Sequence, residues 1–452
     1  MPAMEQGDPR IIRAWTMYDW ANSAYSLTIT SAIFPIYYAA ITIVDGFDKV
    51  ADRFGIPADS MQSYALSLGF LIVALIAPLL SGIADSKGNK LAYLKGFCYL
   101  GAASCMGLFF FTFDHLLFGL LLFMLACVGF SGSLIFYDAF LPEIAVPADH
   151  DKVSARGYIM GYIGSVLLLI INLIMVQAPQ VMGIDRLALW LGGVDAGGLA
   201  ARLSFLSVGV WWALWAQIPF AALPKRTRAL RKDDMNAWVR GYRELRKVWW
   251  QLAGTVRLKR YLAAFFVFNM GIQTVMYLAV AFATREIRQL DGSGNAVPIG
   301  ADALIISILV IQLVAAVGAW VFTRLSTRFG NLKALRIGVA VWVGICIGAY
   351  FTHWASEFYV LAAFVGLVMG GCQSLSRSTY AKFLPETEDH ASYFSFYDVS
   401  YYLGTVLGTL AYGLVNQITG DLRNTVIAIG TFFVVGSILL LRVPDRERPA
   451  VA

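Results

Sequence analysis

Apolar runs of about 20 residues recur along the whole chain, each long enough to cross a hydrocarbon core of about 30 Å as a helix. They fall near residues 12–42, 61–83, 91–113, 116–137, 153–177, 203–223, 261–284, 303–325, 334–352, 357–380, 391–417 and 424–442. The pattern predicts an all-α polytopic membrane protein with twelve transmembrane helices. It breaks once, at PKRTRALRKDDMNAWVRGYRELRKVWWQLAGTVRLKR, which holds twelve basic and three acidic residues. The chain therefore divides into an N-terminal six-helix bundle (1–223), a basic cytoplasmic linker (224–260) and a C-terminal six-helix bundle (261–452). Within the linker, Trp238, Tyr242, Leu245 and Trp249 are spaced for an amphipathic helix on the inner leaflet, with arginines reaching anionic headgroups. A linker that only fixes topology is the plainer alternative. No soluble domain is expected outside the runs. The first ten residues lack the features of a signal peptide, so the first helix is expected to stay in the mature protein.

Composition agrees with the pattern. A chain that is 58% hydrophobic and 14% charged, with mean hydropathy +0.66, is too apolar for a soluble protein of ordinary surface. With the N-terminus inside, 28 of the 35 basic residues fall on the cytoplasmic side, which predicts both termini in the cytoplasm. The first outer loop carries Asp45, Asp48, Asp52 and Asp59 against Lys49 and Arg53, as that orientation allows. The basic pI is then a topological signal. No basic patch interleaved with base-stacking aromatics lies outside the membrane, so no nucleic-acid partner is expected.

The first helix contains MYDWANSAYS (17–26), with Asp19 about 12 Å inside at 1.5 Å per residue. A carboxylate at that depth is costly, and such groups face a partner or a wet cavity. Asp19, Asn22, Ser23, Ser26 and Thr30 recur at spacings of three and four and share one face. That stripe suits the wall of a central aqueous path, where Asp19 binds an amine or carries a proton. A structural pairing with another helix is the alternative.

The loop GIADSKGNK (82–90) and its counterpart RLSTRFGNLK (324–333) repeat a Gly-Asn step and flanking basic residues, with Thr327 where Asp85 would align. Here the sequence resembles the major facilitator superfamily, whose signature reads G-x-x-x-D-x-x-G-x-K/R. Asp85, Gly88 and Lys90 fit, whereas Gly82 lies one position nearer the aspartate and Ser81 takes its place. The resemblance implies two six-helix bundles and a gating role for Gly82, Asp85, Gly88 and Lys90. In that role the aspartate ties the cytoplasmic ends together against a helix N-terminus; a tight capped turn is the bland reading.

Tyr18-Asp19-Trp20-Ala21-Asn22-Ser23-Ala24-Tyr25, FYDAFLPEI (136–144) and GGCQSLSRS (370–378) resemble one branch, the vacuolar amino-acid effluxers linked to autophagy and their bacterial relatives. Two departures stand out. Met270 follows Asn269 where an acid is expected, and Tyr402 stands where a lysine is expected. If those positions handle substrate or protons in relatives, the chemistry of this chain differs there. The same fold would bring Tyr18, Tyr25, Asn269, Gln273, Gln373, Arg377, Tyr397 and Asp398 toward the centre as substrate-binding or coupling groups. Arg377 suits a substrate carboxylate, which its fork matches bidentately. It suits equally a gate closed against Asp138.

Other chemistry finds no support. The chain has no G-x-x-x-x-G-K-S/T loop, four scattered histidines and no C-x-x-C pair among its five cysteines. Neither enzyme activity, a metal, a disulfide nor a cofactor is indicated. Glycine pairs at 157/161, 344/348, 366/370 and 404/408 predict close helix packing, and Trp211, Trp212 and Trp215 interfacial anchoring and packing near the start of helix six. The reading that results is a monomeric secondary transporter that moves a small solute, neutral amino acids foremost, by alternating access, with protons and membrane lipids as further partners. A lipid translocase and a nutrient-sensing receptor without transport are the alternatives.

Overall fold

The computed structural model describes residues 6–225, 237–419 and 421–445. Residues 226–236 of the basic linker lie outside the described residues. Twelve long helices are present among the described ones: α1 (Pro9–Thr42), α2 (Ala58–Lys87), α3 (Lys90–Phe110), α4 (Phe113–Ile144), α5 (Pro147–Gln177), α6 (Ala196–Ala222), α7 (Val256–Glu286), α8 (Ala301–Phe329), α9 (Asn331–Phe351), α10 (Ala355–Phe383), α11 (His390–Thr419) and α12 (Leu422–Leu441). Their apolar surfaces satisfy lipid on the outside, and their backbones bond internally, as a spanning segment must.

Helix pairings repeat between the halves. In the first, α1 packs on α5, α2 on α4, and α3 on α4 and α6; in the second, α7 packs on α11, α8 on α10, and α9 on α10 and α12. Across the interface α2 meets α11 and α5 meets α8. The loops after α1 and α7 repeat as well, each forming a β-hairpin: β1 (Ile43–Val44) with β2 (Phe47–Asp48), and β3 (Arg288–Leu290) with β4 (Ala296–Pro298). Asp48 caps the short helix Lys49–Phe54 and also accepts from the amide of Ala58 at the start of α2. Backbone N–H groups of Ala58 and Ala51, helped by Val50, hold its carboxyl below the usual range.

Close packing occurs at most of the expected glycines. A Cβ at Gly157 or Gly161 would strike α1, at Gly366 or Gly370 the backbone of α8, and at Gly408 the side chain of Thr274. The 344/348 pair is a correction: among the described residues nothing lies against Gly344, and Gly348 leaves ordinary space. Helix six is another. It begins at Ala196, so Trp211, Trp212 and Trp215 sit toward its far end. There Trp212 is fully buried against Tyr25 and Phe130, and Trp211 donates to the carbonyl of Trp20 at 3.1 Å.

The second part of the linker is a helix, Ala237–Gly254. Gly241, Val248 and Leu252 face the protein, with Gly241 set against Gly82 of α2, while Trp238, Tyr242 and Trp250 are exposed. Lys247 reaches Asp389 at 2.8 Å.

Candidate functional site

Helix α1 is not wound uniformly. Pro9–Ala24 and Phe34–Thr42 are α-helical, but Tyr25–Ile33 is π-wound. Pro35 supplies no amide hydrogen, so the helix cannot close an ordinary ladder there. Within the wide stretch the hydroxyl of Ser31 donates to the carbonyl of Ser26 at 2.9 Å. Wide turns of this kind open a helix toward polar sites. A cavity of about 160 Å³ lies against it, with Asp19, Asn22, Ser23, Ser26 and Thr30 all on its wall. Helices α4, α5, α7, α10 and α11 add Asp138, Tyr158, Tyr162, Gln273, Gln373, Arg377, Tyr397, Asp398, Tyr401 and Tyr402 to that wall, beside Leu66 and Phe70 of α2 and Gln312 of α8.

Arg377 is the centre of the site and is almost fully buried. Nη1 donates to Asp138 Oδ1 at 3.0 Å and to Asp19 Oδ2 at 3.4 Å. Nη2 donates to Asp19 Oδ2 at 3.3 Å and to the carbonyl of Ser154 at 2.9 Å, and Nε to Ser154 Oγ at 2.9 Å. Five hydrogen bonds thus reach four acceptor atoms, with Asp19 Oδ2 taking two of them. The faces of the guanidinium rest against Tyr158 (4.3 Å), Trp15 (5.0 Å) and Tyr137 (5.5 Å). Tyr137 also donates to Asp19 Oδ2 at 2.7 Å, and Trp15 to the carbonyl of Tyr137 at 3.0 Å. Asp19 therefore both lines the cavity and pairs with another helix. Gly157 allows this: a Cβ there would collide with the carboxylate of Asp19.

The other expected residues divide. Gln373 accepts from Tyr162 at 2.9 Å, and Gln273 donates to Asn269 at 3.2 Å while Asn269 donates to the carbonyl of Tyr401 at 3.3 Å. Asn269 supports Gln273 from behind and does not line the cavity itself. Tyr18 is likewise set back, packed against Tyr137 and Phe220. Tyr25 and Tyr397 line the cavity, the latter stacked on Phe265 at 4.2 Å. At the departure from the family pattern, Tyr402 lines the cavity and donates to the carbonyl of Ser131 at 3.0 Å. Met270 packs beside Gly404 and Gly408.

One end of the molecule is tied across the halves. Asp85 accepts from the amide and hydroxyl of Ser392 at 2.7 and 2.8 Å and from the amide of Ala391 at 3.3 Å, at the first turn of α11. Gly88 follows in the left-handed conformation that ends α2, and Lys90 pairs with Glu143, which also meets His390 at 3.2 Å. Beside them Asp151 of α5 binds Lys382 Nζ at 2.6 Å, Asn331 Nδ2 at 2.7 Å and Ser326 Oγ at 2.8 Å. Among the described residues, every ion pair between the halves lies at Arg377 or at this end. Sequence reasoning missed Asp151, Glu143, Ser154 and Tyr137. Glu143 and Tyr137 lie inside the FYDAFLPEI block, where an acid and a tyrosine beside Asp138 were the available signal.

This architecture is shared with known proteins. Residues 7–450 match the family described as "Vacuole effluxer Atg22 like". The chain belongs to that family. It is 30% identical over 440 residues to the MFS-type transporter YxiO of Bacillus subtilis (strain 168), covering 97% of this chain and 96% of YxiO. Autophagy-related protein 22 of Kluyveromyces lactis is 23% identical over 479 residues, covering 94% and 92%. Among solved structures, the E. coli fucose:proton symporter FucP superposes with a TM-score of 0.66 at 15% identity, over 97% of this chain and 98% of that one. A bacterial homologue of the iron transporter ferroportin in an outward-facing state gives 0.63 at 12% identity, over 97% and 99%. The Atg22-like chain is thus a multi-pass membrane transporter of the major facilitator type, with twelve helices in two six-helix bundles.

Among the described residues no group of three or more His, Cys, Asp or Glu side chains is placed to hold a metal. All five cysteines are free and buried.

Proposed function

We propose that this protein is a secondary active transporter of amino acids across a bacterial inner membrane, working by alternating access. The moving bodies are residues 1–223 and 261–452, joined by 224–260, with both termini cytoplasmic. The observation that carries the reading is the Asp19–Arg377–Asp138 cluster, which ties α1 and α4 of one half to α10 of the other at the wall of a central cavity. A charge cluster at that place holds the halves in one arrangement and can be dissolved in another. In the proposed orientation the tied end is cytoplasmic, so this conformer is closed inward. Arg377 then acts as a gate, because its donors are all occupied.

The cavity suits a small solute: an apolar cavity of about 150 Å³ holds a benzene. Resemblance to the Atg22 effluxers supports amino acids within that size. The test is counterflow of radiolabelled amino acids in proteoliposomes, with and without an imposed proton gradient. Saturable exchange of at least one amino acid is expected; exchange of none, with sugars or nucleosides moving instead, would overturn the reading.

A further inference from the structure

Arg377 cannot serve a substrate carboxylate in this conformer, since its five N–H groups are taken by Asp19, Asp138 and Ser154. No other Lys, Arg or His lines the cavity among the described residues. Two cavity-lining side chains are nevertheless left with an unmet polar atom. Asp398 is 4% exposed, and its Oδ2 has no hydrogen-bond partner among the described residues. Asn22 is 1% exposed, and among the described residues its Nδ2 has none either. The hydroxyl of Ser23 donates to Asn22 Oδ1 at 3.4 Å, which leaves the amide nitrogen turned to other use.

A buried carboxylate without a partner and a buried amide donor without an acceptor are each costly. Their polarities are opposite. One awaits a cationic donor and the other an anionic acceptor, which together describe the ammonium and carboxylate of an α-amino acid. We propose that Asp398 and Asn22 are the head-group seat of the transported amino acid, Asp398 accepting from its ammonium and Asn22 donating to its carboxylate. Tyr158, Tyr162, Tyr401 and Tyr402, on the same cavity wall, favour the ammonium further, because aromatic faces attract cations. The seat disfavours one class of solute: a carboxylic acid without an amine leaves Asp398 unanswered.

This inference rests on the amino-acid reading above and is tested on three probes: the common amino acid that most raises the melting temperature of the purified protein, its decarboxylated amine and its deaminated acid. With the unaltered protein the amino acid should bind best and the deaminated acid at least about tenfold more weakly, the loss expected for a charge-assisted contact. Asp398→Asn should erase the advantage of the amino acid over the deaminated acid. Asn22→Ala should erase its advantage over the amine. Asp398→Glu, which keeps the charge, should retain part of the preference and shows whether loss in the amide variant is chemical. If the deaminated acid binds the unaltered protein as well as the amino acid does, the seat is wrong while amino-acid transport stands. If neither Asp398→Asn nor Asn22→Ala changes the ranking of the probes, the seat is wrong as well. If none of the twenty common amino acids shifts the melting temperature or exchanges in proteoliposomes, the functional reading itself falls.

Discussion

At the tied end, two aspartates do similar work from opposite starting points. Asp85 sits at the end of α2 in the loop that carries the superfamily signature, and it reaches across to the first turn of α11. Its partners are neutral N–H and O–H groups, so the contact is a helix cap supplied by the other half. Asp151 sits near the start of α5, and the residues that bind it come from the opposite half: Ser326 of α8, Asn331 of α9 and Lys382 of α10. The two contacts occupy repeat-related places, α2 with α11 and α5 with α8. Yet the acid has changed sides. In the second half the signature position is Thr327, and the carboxylate comes from the helix that the loop faces. The comparison teaches that the duplicated fold preserves where the halves must be tied, and not which residue supplies the charge.

Breaking the central cluster should have a larger effect than breaking either tie. Arg377→Ala leaves Asp19 and Asp138 buried without a cation, a cost of about 3–5 kcal/mol. The expected result is a marked fall in melting temperature and greater accessibility of single cysteines at the tied end. The exchange of Asp138→Arg with Arg377→Asp should not rescue it, because Asp19 now shares the guanidinium at 3.3 Å and would face the new carboxylate. Adding Asp19→Asn to the exchange should restore part of the stability. Rescue by the double exchange alone would show that Asp19 is not held there.

Next in size is Asp151→Ala. It removes the acceptor for Lys382, Asn331 and Ser326 at a site where the Asp151 side chain is 6% exposed and that of Lys382 is 21% exposed. Charge-assisted bonds with that degree of burial contribute about 1.5–3 kcal/mol. Labelling at the tied end should rise, and Lys382→Ala should resemble it. A silent Asp151→Ala would mean that the two ties are not comparable.

The twelve spans were legible because lipid tolerates only apolar, internally bonded segments, which forces long runs into the sequence. The α1 stripe was legible for a related reason: Asp19 inside such a run has a cost that needs a cause, and the 3.6-residue period says which neighbours share its face. What stayed hidden depends on contacts between distant segments. Asp151 looks like an ordinary acid in the first turn of a helix, and only Ser326, Asn331 and Lys382, more than 170 residues away, give it another meaning. The same holds for Ser154 beneath Arg377. The two roles of Arg377, seat and gate, were not separable in the sequence for a physical reason: an arginine fork suits a carboxylate ligand and an aspartate side chain equally. The π-wound stretch was hidden because winding follows packing against α5 and α6 as well as local propensity.

A smaller effect is expected from Asp85→Asn. Shape and one acceptor are kept, and the loss is that of a charged cap, about 0.5–2 kcal/mol. Accessibility at the tied end should increase less than in Asp151→Ala. The reverse ranking would make the signature loop the dominant tie.

The finest test asks whether the acid of the second tie can be returned to its signature position. Thr327 is exposed, and its hydroxyl donates to the carbonyl of Arg324 at 2.8 Å. Its neighbour Ser326 faces the interface and donates to Asp151. Successive residues on an α-helix point about 100° apart, so position 327 looks away from the place that Asp151 fills. Thr327→Asp in the unaltered protein should therefore shift stability by no more than about 0.5 kcal/mol, as exposed substitutions do. Combined with Asp151→Ala it should leave labelling at the tied end as high as in Asp151→Ala alone. Restoration of low labelling by the added aspartate would show that α8 can turn position 327 inward, and that the side from which the acid is supplied is interchangeable after all.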